Sequence, residues 1–254
     1  MMKEVVRNGM RVSVCETREQ MGAAAAAAVA ARIGELLKEQ EVVNIVFAAA
    51  PSQNEFLAAL VTSSVDWACI NAFHMDEYIG LEEDVSRRFA TYLRERLFEK
   101  VSFRSVYYLD GRVAEAEAEC DRYAALLRQF PTDIVCMGIG ENCHIAFNDP
   151  PVADFSDPKL VKIVVLDGDC RQQQVNDDCF PSLEEVPMRA LTLTVPALLK
   201  GRHLFVVVPG ERKAMAVYHT LNSPVGEQYP STILRNHPAV RLFLDQDSCK
   251  MIKP

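Results

Sequence analysis

Short apolar runs alternate with longer amphipathic segments along this chain. The runs are rich in β-branched residues and predict buried strands at Val42–Phe47, Cys69–His74, Val106–Leu109, Asp133–Met137, Lys162–Leu166, Ala190–Val195, Leu204–Val208 and Val240–Leu244. The segments between them carry apolar residues at helical spacing and predict helices at Thr17–Lys38, Ser52–Leu60, Val85–Val101, Ala114–Gln129 and Glu211–Leu221. Because such alternation indicates βαβ units, we predict an α/β fold, Rossmann-like and three-layered (α/β/α), with a mostly parallel central sheet.

No internal repeat, low-complexity linker or shift in charge divides the chain. Residues 1–254 are therefore predicted to form a single domain, a size that buries a large core without disulfides or a metal. The stretch Asp149–Gln174 is the least regular part of the pattern. We expect it to form an irregular lid segment over the sheet.

The net charge of the chain limits the classes of molecule that it is expected to bind. The chain carries 27 Lys and Arg against 35 Asp and Glu, a net charge of −8, so no nucleic-acid or membrane surface is expected. The first 16 residues lack the continuous apolar core of a signal peptide, and Ala23–Ala31 is too short to span a bilayer. Eight cysteines are scattered without a Cys-x-x-Cys pair, which is typical of reduced thiols in a cytoplasmic protein.

Ligands of open parallel sheets bind at the carboxyl ends of the strands, so residues that follow strands are candidates for chemistry. The first candidate segment is His74–Tyr78, where Asp76 and Glu77 are adjacent carboxylates. They suit a general base, and they equally suit a helix N-cap or a turn. A metal site at His74 and Asp76 is disfavoured, because no second histidine or cysteine lies nearby at ligand spacing.

The second candidate segment is Gly138–Pro150, which begins with Gly-x-Gly directly after a predicted strand. The third glycine of the dinucleotide-binding fingerprint is absent. His144, with Asn142 and Asp149 close in sequence, suits proton transfer near neutral pH, although a structural hydrogen-bonded histidine fits the pattern as well. A nucleophilic Cys143 is disfavoured, because adjacent side chains rarely face each other.

Two cations near the ends of elements form the third candidate set. Arg171 follows the strand at Lys162–Leu166, and Lys213 opens the helix after Leu204–Val208. A lysine at the start of a helix is unfavourable next to the positive end of the helix dipole, so its position indicates a bound anion. The alternative is a lysine on the surface that contacts only solvent.

These segments together resemble the glucosamine-6-phosphate deaminase family, also called glucosamine-6-phosphate isomerase. Its wider superfamily includes galactosamine-6-phosphate isomerases and 6-phosphogluconolactonases. The resemblance runs from about Val42 to Leu244. It is carried by MDEYIGL at Met75–Leu81, GIGENCHIAFNDP at Gly138–Pro150, Arg171, Lys213 within PGERKA, and PSTILRNHP at Pro230–Pro238.

The resemblance implies conversion of an amino-sugar 6-phosphate and water into a ketose 6-phosphate and ammonia. Asp76 matches the base for enolisation, His144 matches the residue that opens the sugar ring, and Asn142 and Asp149 match its companions. Arg171 and Lys213 match the cations that hold the phosphate. The implied partner is a small sugar phosphate, with neither metal nor organic cofactor, and relatives suggest a homo-oligomer as a possible assembly.

The chain departs from the family pattern at four places. Asn142 stands where many members have Asp, Asp149 where they usually have Glu, and Cys143 where they usually have Gly. The largest departure is Ala48–Ser52, which replaces a phosphate-binding loop rich in hydroxyl groups and leaves only one hydroxyl. Phosphate binding is then expected from Ser52 and from backbone amides at Ala49 and Ala50.

Three alternatives to a glucosamine-6-phosphate deaminase remain open from the sequence. They are a galactosamine-6-phosphate isomerase, a 6-phosphogluconolactonase-like hydrolase, and a non-catalytic sugar-phosphate sensor. The altered Ala48–Ser52 loop motivates the sensor, since loss of a hydroxyl contact to a charged group costs roughly 10–150-fold in affinity.

Overall fold

The computed structural model describes residues 3–81 and 87–252. Its strands are β1 (Lys3–Arg7), β2 (Met10–Val14), β3 (Val43–Phe47), β4 (Ile70–His74), β5 (Asp76–Tyr78), β6 (Ser105–Tyr107), β7 (Ile134–Met137), β8 (Val161–Val165), β9 (Arg189–Leu193), β10 (His203–Val208) and β11 (Val240–Leu244). Its α-helices are α1 (Arg18–Leu36), α2 (Asn54–Val61), α3 (Phe89–Leu93), α4 (Ala116–Gln129), α5 (Gly168–Asn176), α6 (Val195–Leu199) and α7 (Ala214–Asn222). Within these ranges, no helix combines the length and the apolar character that crossing a bilayer requires.

An eight-stranded sheet in the order β1-β2-β11-β10-β7-β3-β4-β6 forms the centre of the molecule. All of its pairings are parallel except that of β1 with β2. Alternate residues of the buried strands face opposite sides, so that Ile45 packs with α1, α2 and α3, whereas Val46 packs with α4, α6 and α7. The predicted three-layer α/β/α architecture is therefore confirmed.

A second, three-stranded antiparallel sheet in the order β5-β9-β8 was not predicted. It pairs Asp76 on β5 with Thr192 on β9. The stretch Asp149–Gln174, predicted to be an irregular lid segment, supplies β8 to this sheet and the first turns of α5. The sheet therefore holds the first candidate segment in a defined place.

A predicted helix, a predicted strand and an unpredicted hairpin separate the sequence pattern from the structure. The predicted helix Val85–Val101 begins outside the described residues, and its described part is α3 followed by a π-helical turn, Arg94–Phe98. The strand predicted at Ala190–Val195 ends at Leu193, because the Thr194 side chain accepts a hydrogen bond from the Ala197 N–H and caps α6. The hairpin β1–β2 was not predicted.

The order of the strands reverses between β3 and β7. From β3 the connections lead through β4 to β6, and from β7 they lead the other way through β10 to β11. Such a reversal opens a crevice at the carboxyl ends of the two strands. The segments that leave β3 and β7 here are Ala48–Ser52 and Gly138–Asp149, two of the segments singled out from the sequence.

Candidate active site

A cavity lies at this crevice. Six of the predicted site residues line it, namely Ala49, Ala50, Ser52, Asp76, His144 and Lys213. Asn142 and Asp149 contact His144. Arg171 is not among the lining residues. The fold thus gathers residues from four separate segments of the chain at the carboxyl edge of the sheet.

His144 is held by two oxygen acceptors at the same ring nitrogen. Its Nδ1 lies 2.8 Å from Oδ1 of Asn142 and 2.9 Å from Oδ1 of Asp149, and the Asn142 amide donates to the same Asp149 oxygen at 3.1 Å. Two acceptors at Nδ1 require the ring proton there, so Nε2 is left with its lone pair. Asn142 therefore gives His144 a neutral hydrogen-bond acceptor, where many members of the resembling family have an aspartate. The negative charge beside the ring comes from Asp149.

The surroundings of Asp149 favour its ionised form. Burial alone would raise the pKa of its carboxyl group, but its electrostatic interaction with His144 and the hydrogen bonds from His144 and Asn142 lower that pKa below its usual range. The shorter side chain of Asp149, relative to the glutamate usual in the resembling family, still reaches the imidazole directly. No bridging water is needed to explain the contact.

The turn that carries His144 depends on its backbone geometry. The Gly140 N–H donates to the His144 carbonyl at 2.9 Å, and the Cys143 N–H donates to the Gly140 carbonyl at 3.0 Å. Cys143 adopts a left-handed φ of 72°, a conformation that favours glycine. The cysteine therefore occupies the backbone conformation expected of a glycine at this position.

Replacement of Gly140 by alanine is expected to reduce activity by displacing the imidazole. A Cβ atom at Gly140 would lie 2.2 Å from Cε1 and 2.3 Å from Nε2 of His144, distances that the ring must move to avoid. We expect the reaction rate of Gly140→Ala to fall about 100-fold, the scale of a misplaced catalytic group. Gly34→Ala is the matched control, since no atom lies within 4 Å of the added methyl group there. Equal rates for the two variants would contradict the argument.

Asp76 and Glu77 have separate surroundings because they are neighbours on a strand and point in opposite directions. Asp76 lines the cavity, and burial followed by the charge of Glu77 raises its pKa well above the usual range. The Glu77 carboxylate instead accepts hydrogen bonds from the N–H groups of Phe89 and Ala90 at the start of α3. Glu77 therefore has the helix-capping position that the sequence allowed, whereas Asp76 faces the cavity and stays a candidate general base.

His74 is a structural histidine. It is fully buried, its Nδ1 lies 3.0 Å from the Asp76 carbonyl oxygen, and its Nε2 accepts the Leu109 N–H at 2.9 Å. Burial lowers the pKa of His74 to about 4, so the ring is neutral. With both ring nitrogens engaged by the backbone, His74 has no lone pair for a metal ion.

Lys213 and Ser52 form the polar end of the cavity. Lys213 is 6% exposed, and burial lowers its pKa. Within the described part of the chain it has no hydrogen bond or ion pair, so its ammonium group is available to an anion. Ser52 accepts a hydrogen bond from Nε2 of Gln53 at 3.1 Å, which leaves its hydroxyl proton free to donate.

Arg171 and two glutamines of α5 differ from expectation. The Arg171 guanidinium donates to the carbonyl oxygens of Leu183 and Val186 at 2.5 and 2.9 Å, so it ties the segment after α5 to the helix. Gln173 and Gln174, on the same helix, line the cavity. Neither glutamine was predicted to be a site residue, because the sequence pattern indicates no helix at this position.

Comparison with known proteins extends these observations. Residues 16–243 match the sequence model of the family described as glucosamine-6-phosphate isomerases/6-phosphogluconolactonase. A glucosamine-6-phosphate deaminase of Listeria innocua is 33% identical over 195 residues, which are 77% of this chain and 81% of the relative. One from Bacillus cereus is 30% identical over 242 residues, which are 95% of this chain and 89% of the relative.

Solved structures agree with these matches. A monomeric glucosamine-6-phosphate deaminase is 28% identical, with a TM-score of 0.85 over 94% of this chain and 99% of the other. A 6-phosphogluconolactonase from Thermotoga maritima shares the fold at 19% identity, with a TM-score of 0.75 over 92% of this chain and 98% of the other. The chain belongs to the glucosamine-6-phosphate isomerase/6-phosphogluconolactonase family.

Proposed function

We propose that this protein converts glucosamine 6-phosphate and water into fructose 6-phosphate and ammonia. The observation that carries the proposal is that Asp76, His144 and Lys213 line one cavity, so that two proton-transfer groups and an anion partner face the same ligand. The similarity to glucosamine-6-phosphate deaminases supports the same reaction class.

The phosphate of the substrate binds at Lys213 and Ser52. The Lys213 ammonium group is buried, and an ion pair with a buried group is stronger than one at the surface. The Ser52 hydroxyl and the backbone amides of the Ala49–Ser52 segment supply hydrogen bonds to the remaining oxygens. The loss of hydroxyl side chains in this loop is therefore compensated in part by the backbone.

Ring opening is assigned to His144. The step removes a proton from the hydroxyl group on C1 and delivers one to the ring oxygen as the C1–O5 bond breaks. Nε2 accepts the first proton, and the resulting imidazolium donates the second, while the Asp149 carboxylate stabilises the charged ring. Asn142 orients the ring through Nδ1 and adds no charge of its own.

Enolisation and loss of ammonia follow in the open-chain sugar. Asp76 removes the proton on C2 as a water molecule protonates the C1 carbonyl oxygen, and it then delivers that proton to C1, which leaves an iminium ion at C2. The hydroxide left by the water molecule adds to the iminium carbon, and the adduct expels ammonia as its hydroxyl proton passes to nitrogen, giving the ketose. The raised pKa of Asp76 suits this role, because a carboxyl group with a pKa nearer neutrality both takes up and returns a proton readily.

Ammonia release from purified protein tests the reaction. Glucosamine 6-phosphate and galactosamine 6-phosphate are assayed in parallel, with hydrolysis of 6-phosphogluconolactone as a third assay. Turnover of glucosamine 6-phosphate alone supports the proposal, and preferred turnover of the galacto sugar or the lactone would replace it. Tight binding of these compounds without turnover would indicate a sensor.

Lys213→Met is expected to raise KM for glucosamine 6-phosphate about 10–150-fold, the range for a lost hydrogen bond to a charged group, with a smaller effect on kcat. Steady-state kinetics measure this change, and Lys38→Met, at an exposed position of the same charge, is the control. The melting temperature of Lys213→Met should not fall, because a buried unpaired ammonium group does not stabilise the fold. An unchanged KM would exclude Lys213 as a phosphate ligand.

A further inference from the structure

A cysteine that the proposed reaction does not use lies beside the His144–Asp149 pair. Cys170 is 1% exposed in the first turns of α5, and burial followed by the neighbouring Asp149 charge raises the pKa of its thiol. One ligand atom each from His144, Asp149 and Cys170 lie within 4.8 Å of one another. In the described parts of the chain, this is the one such group of three or more His, Cys, Asp or Glu side chains.

A second observation points to a cation at the same place. Oδ2 of Asp149 is buried and makes no hydrogen bond of regular geometry among the described residues, whereas Oδ1 contacts both His144 and Asn142. The Cys170 thiol and the Asp167 N–H lie near enough to interact with this carboxylate, without the geometry of full hydrogen bonds. A buried carboxylate oxygen with only poorly placed donors is costly, since its lone pairs have lost water without full replacement. A metal ion bound to this oxygen would supply the missing interaction.

The donor set selects a particular kind of metal. One thiolate, one carboxylate and one neutral imidazole carry two negative charges, so a divalent cation leaves the buried site neutral. Thiolate and imidazole are ligands of Zn²⁺ and Co²⁺ and are avoided by Mg²⁺ and Ca²⁺, which prefer oxygen. Three protein ligands leave a fourth position for water, as in catalytic zinc sites, and His144 lines the cavity.

We infer that His144, Asp149 and Cys170 form a zinc-binding site that switches the active site off. The metal ion enters through the cavity that His144 lines, and the Cys170 thiol releases its proton to solvent on binding. An imidazole bound to the ion is fixed to it and no longer mobile as a proton carrier. The effect on catalysis rests on the proposed function, whereas the metal site itself does not.

Cobalt binding tests the site without any assay of activity. Metal-free protein is titrated with Co²⁺, and a thiolate-to-cobalt charge-transfer band in the near ultraviolet reports a bound cysteine. We expect one Co²⁺ per chain, with the band lost in Cys170→Ser and in Cys170→Ala and kept in Cys179→Ser, a matched control on the same segment. A band that survives both Cys170 variants would overturn the assignment, and so would a wild-type protein without a band.

Inhibition by zinc tests the consequence. Zn²⁺ should inhibit ammonia release by the wild-type protein and by Cys179→Ser, and a chelator should restore the rate. Each variant is compared with its own metal-free rate, and the inhibition constant of Cys170→Ser should rise at least about tenfold, the lower range for loss of an interaction at a metal site. Equal inhibition of Cys170→Ser would refute the switch. Absence of ammonia release from every protein, with the cobalt band intact, would refute the proposed function and leave the metal site standing.

Discussion

Asp76→Asn is expected to lower kcat for ammonia release by about 10²–10⁴-fold, the usual contribution of a general base, with a much smaller change in KM. The amide keeps the shape of the side chain and cannot accept the proton from C2. Stopped or coupled assays of ammonia measure the effect, and Asp121→Asn, at an exposed position on α4, is the control. Full activity of Asp76→Asn would remove Asp76 from the mechanism.

The same residue sets the expected dependence of activity on pH. In the proposed mechanism the ionised carboxylate takes up the proton on C2, and burial followed by the charge of Glu77 raises the pKa of Asp76 well above its usual range. Activity should therefore fall as the pH drops through that raised pKa, well before ordinary carboxyl groups become protonated. Glu77 contributes to this by its own charge, and burial raises its pKa to about 7. In Glu77→Gln that charge is absent, so the acid side of the pH–activity profile should move to lower pH. An unchanged profile would contradict the effect of the Glu77 charge on the pKa of Asp76.

His144→Gln is the second substitution with a large expected effect, about 10²–10⁴-fold in kcat. Glutamine retains a hydrogen-bonding side chain and loses the nitrogen that shuttles the proton. Spontaneous ring opening still feeds the later steps, so the residual rate should be that of the uncatalysed opening. His219→Gln, on α7, is the control, because His219 contacts Ser223 and does not line the cavity.

An isotope effect distinguishes this role from a structural one. The wild-type protein should convert substrate deuterated at C2 more slowly than ordinary substrate, to the extent that cleavage of the C2–H bond limits turnover. In His144→Gln the ring opening becomes limiting, and the isotope effect should shrink towards unity. An isotope effect that is undiminished, together with a lower kcat, would mean that His144 acts at enolisation or only supports the fold.

The strands of the central sheet were predictable because burial on both faces gives them continuous apolar sequences. Val240–Leu244 was predicted with the bounds it has, and Val42–Phe47 differs by one residue. The hairpin β1–β2 was missed although Asn8 and Gly9 carry the positive φ angles of a tight turn. An Asn-Gly pair between alternating apolar residues is a hairpin signal that could have found it.

The residues of the candidate site were predictable where they lie within one short sequence motif. They were less predictable where pairing with a distant part of the chain sets their position. Asn142, His144 and Asp149 lie within one turn segment, and the structure brings them into mutual contact. The polar sequence of β5 gives no sign of a strand, since its conformation comes from pairing with β9. The contacts of Arg171 with the carbonyl oxygens of Leu183 and Val186 likewise depend on the path of the chain after α5.

The pairing of Asp76 with Thr192 has a consequence for how this protein is made. A ribosome releases β5 long before it has synthesised β9, more than a hundred residues further along. Until then the first half of the chain can assemble β3, β4 and β6, while the strand that carries Asp76 waits for its neighbour. Because non-local pairings form late, the carboxylate reaches its position only near the end of folding. A chain truncated before β9 therefore lacks the strand that pairs with β5 and holds Asp76 at the cavity.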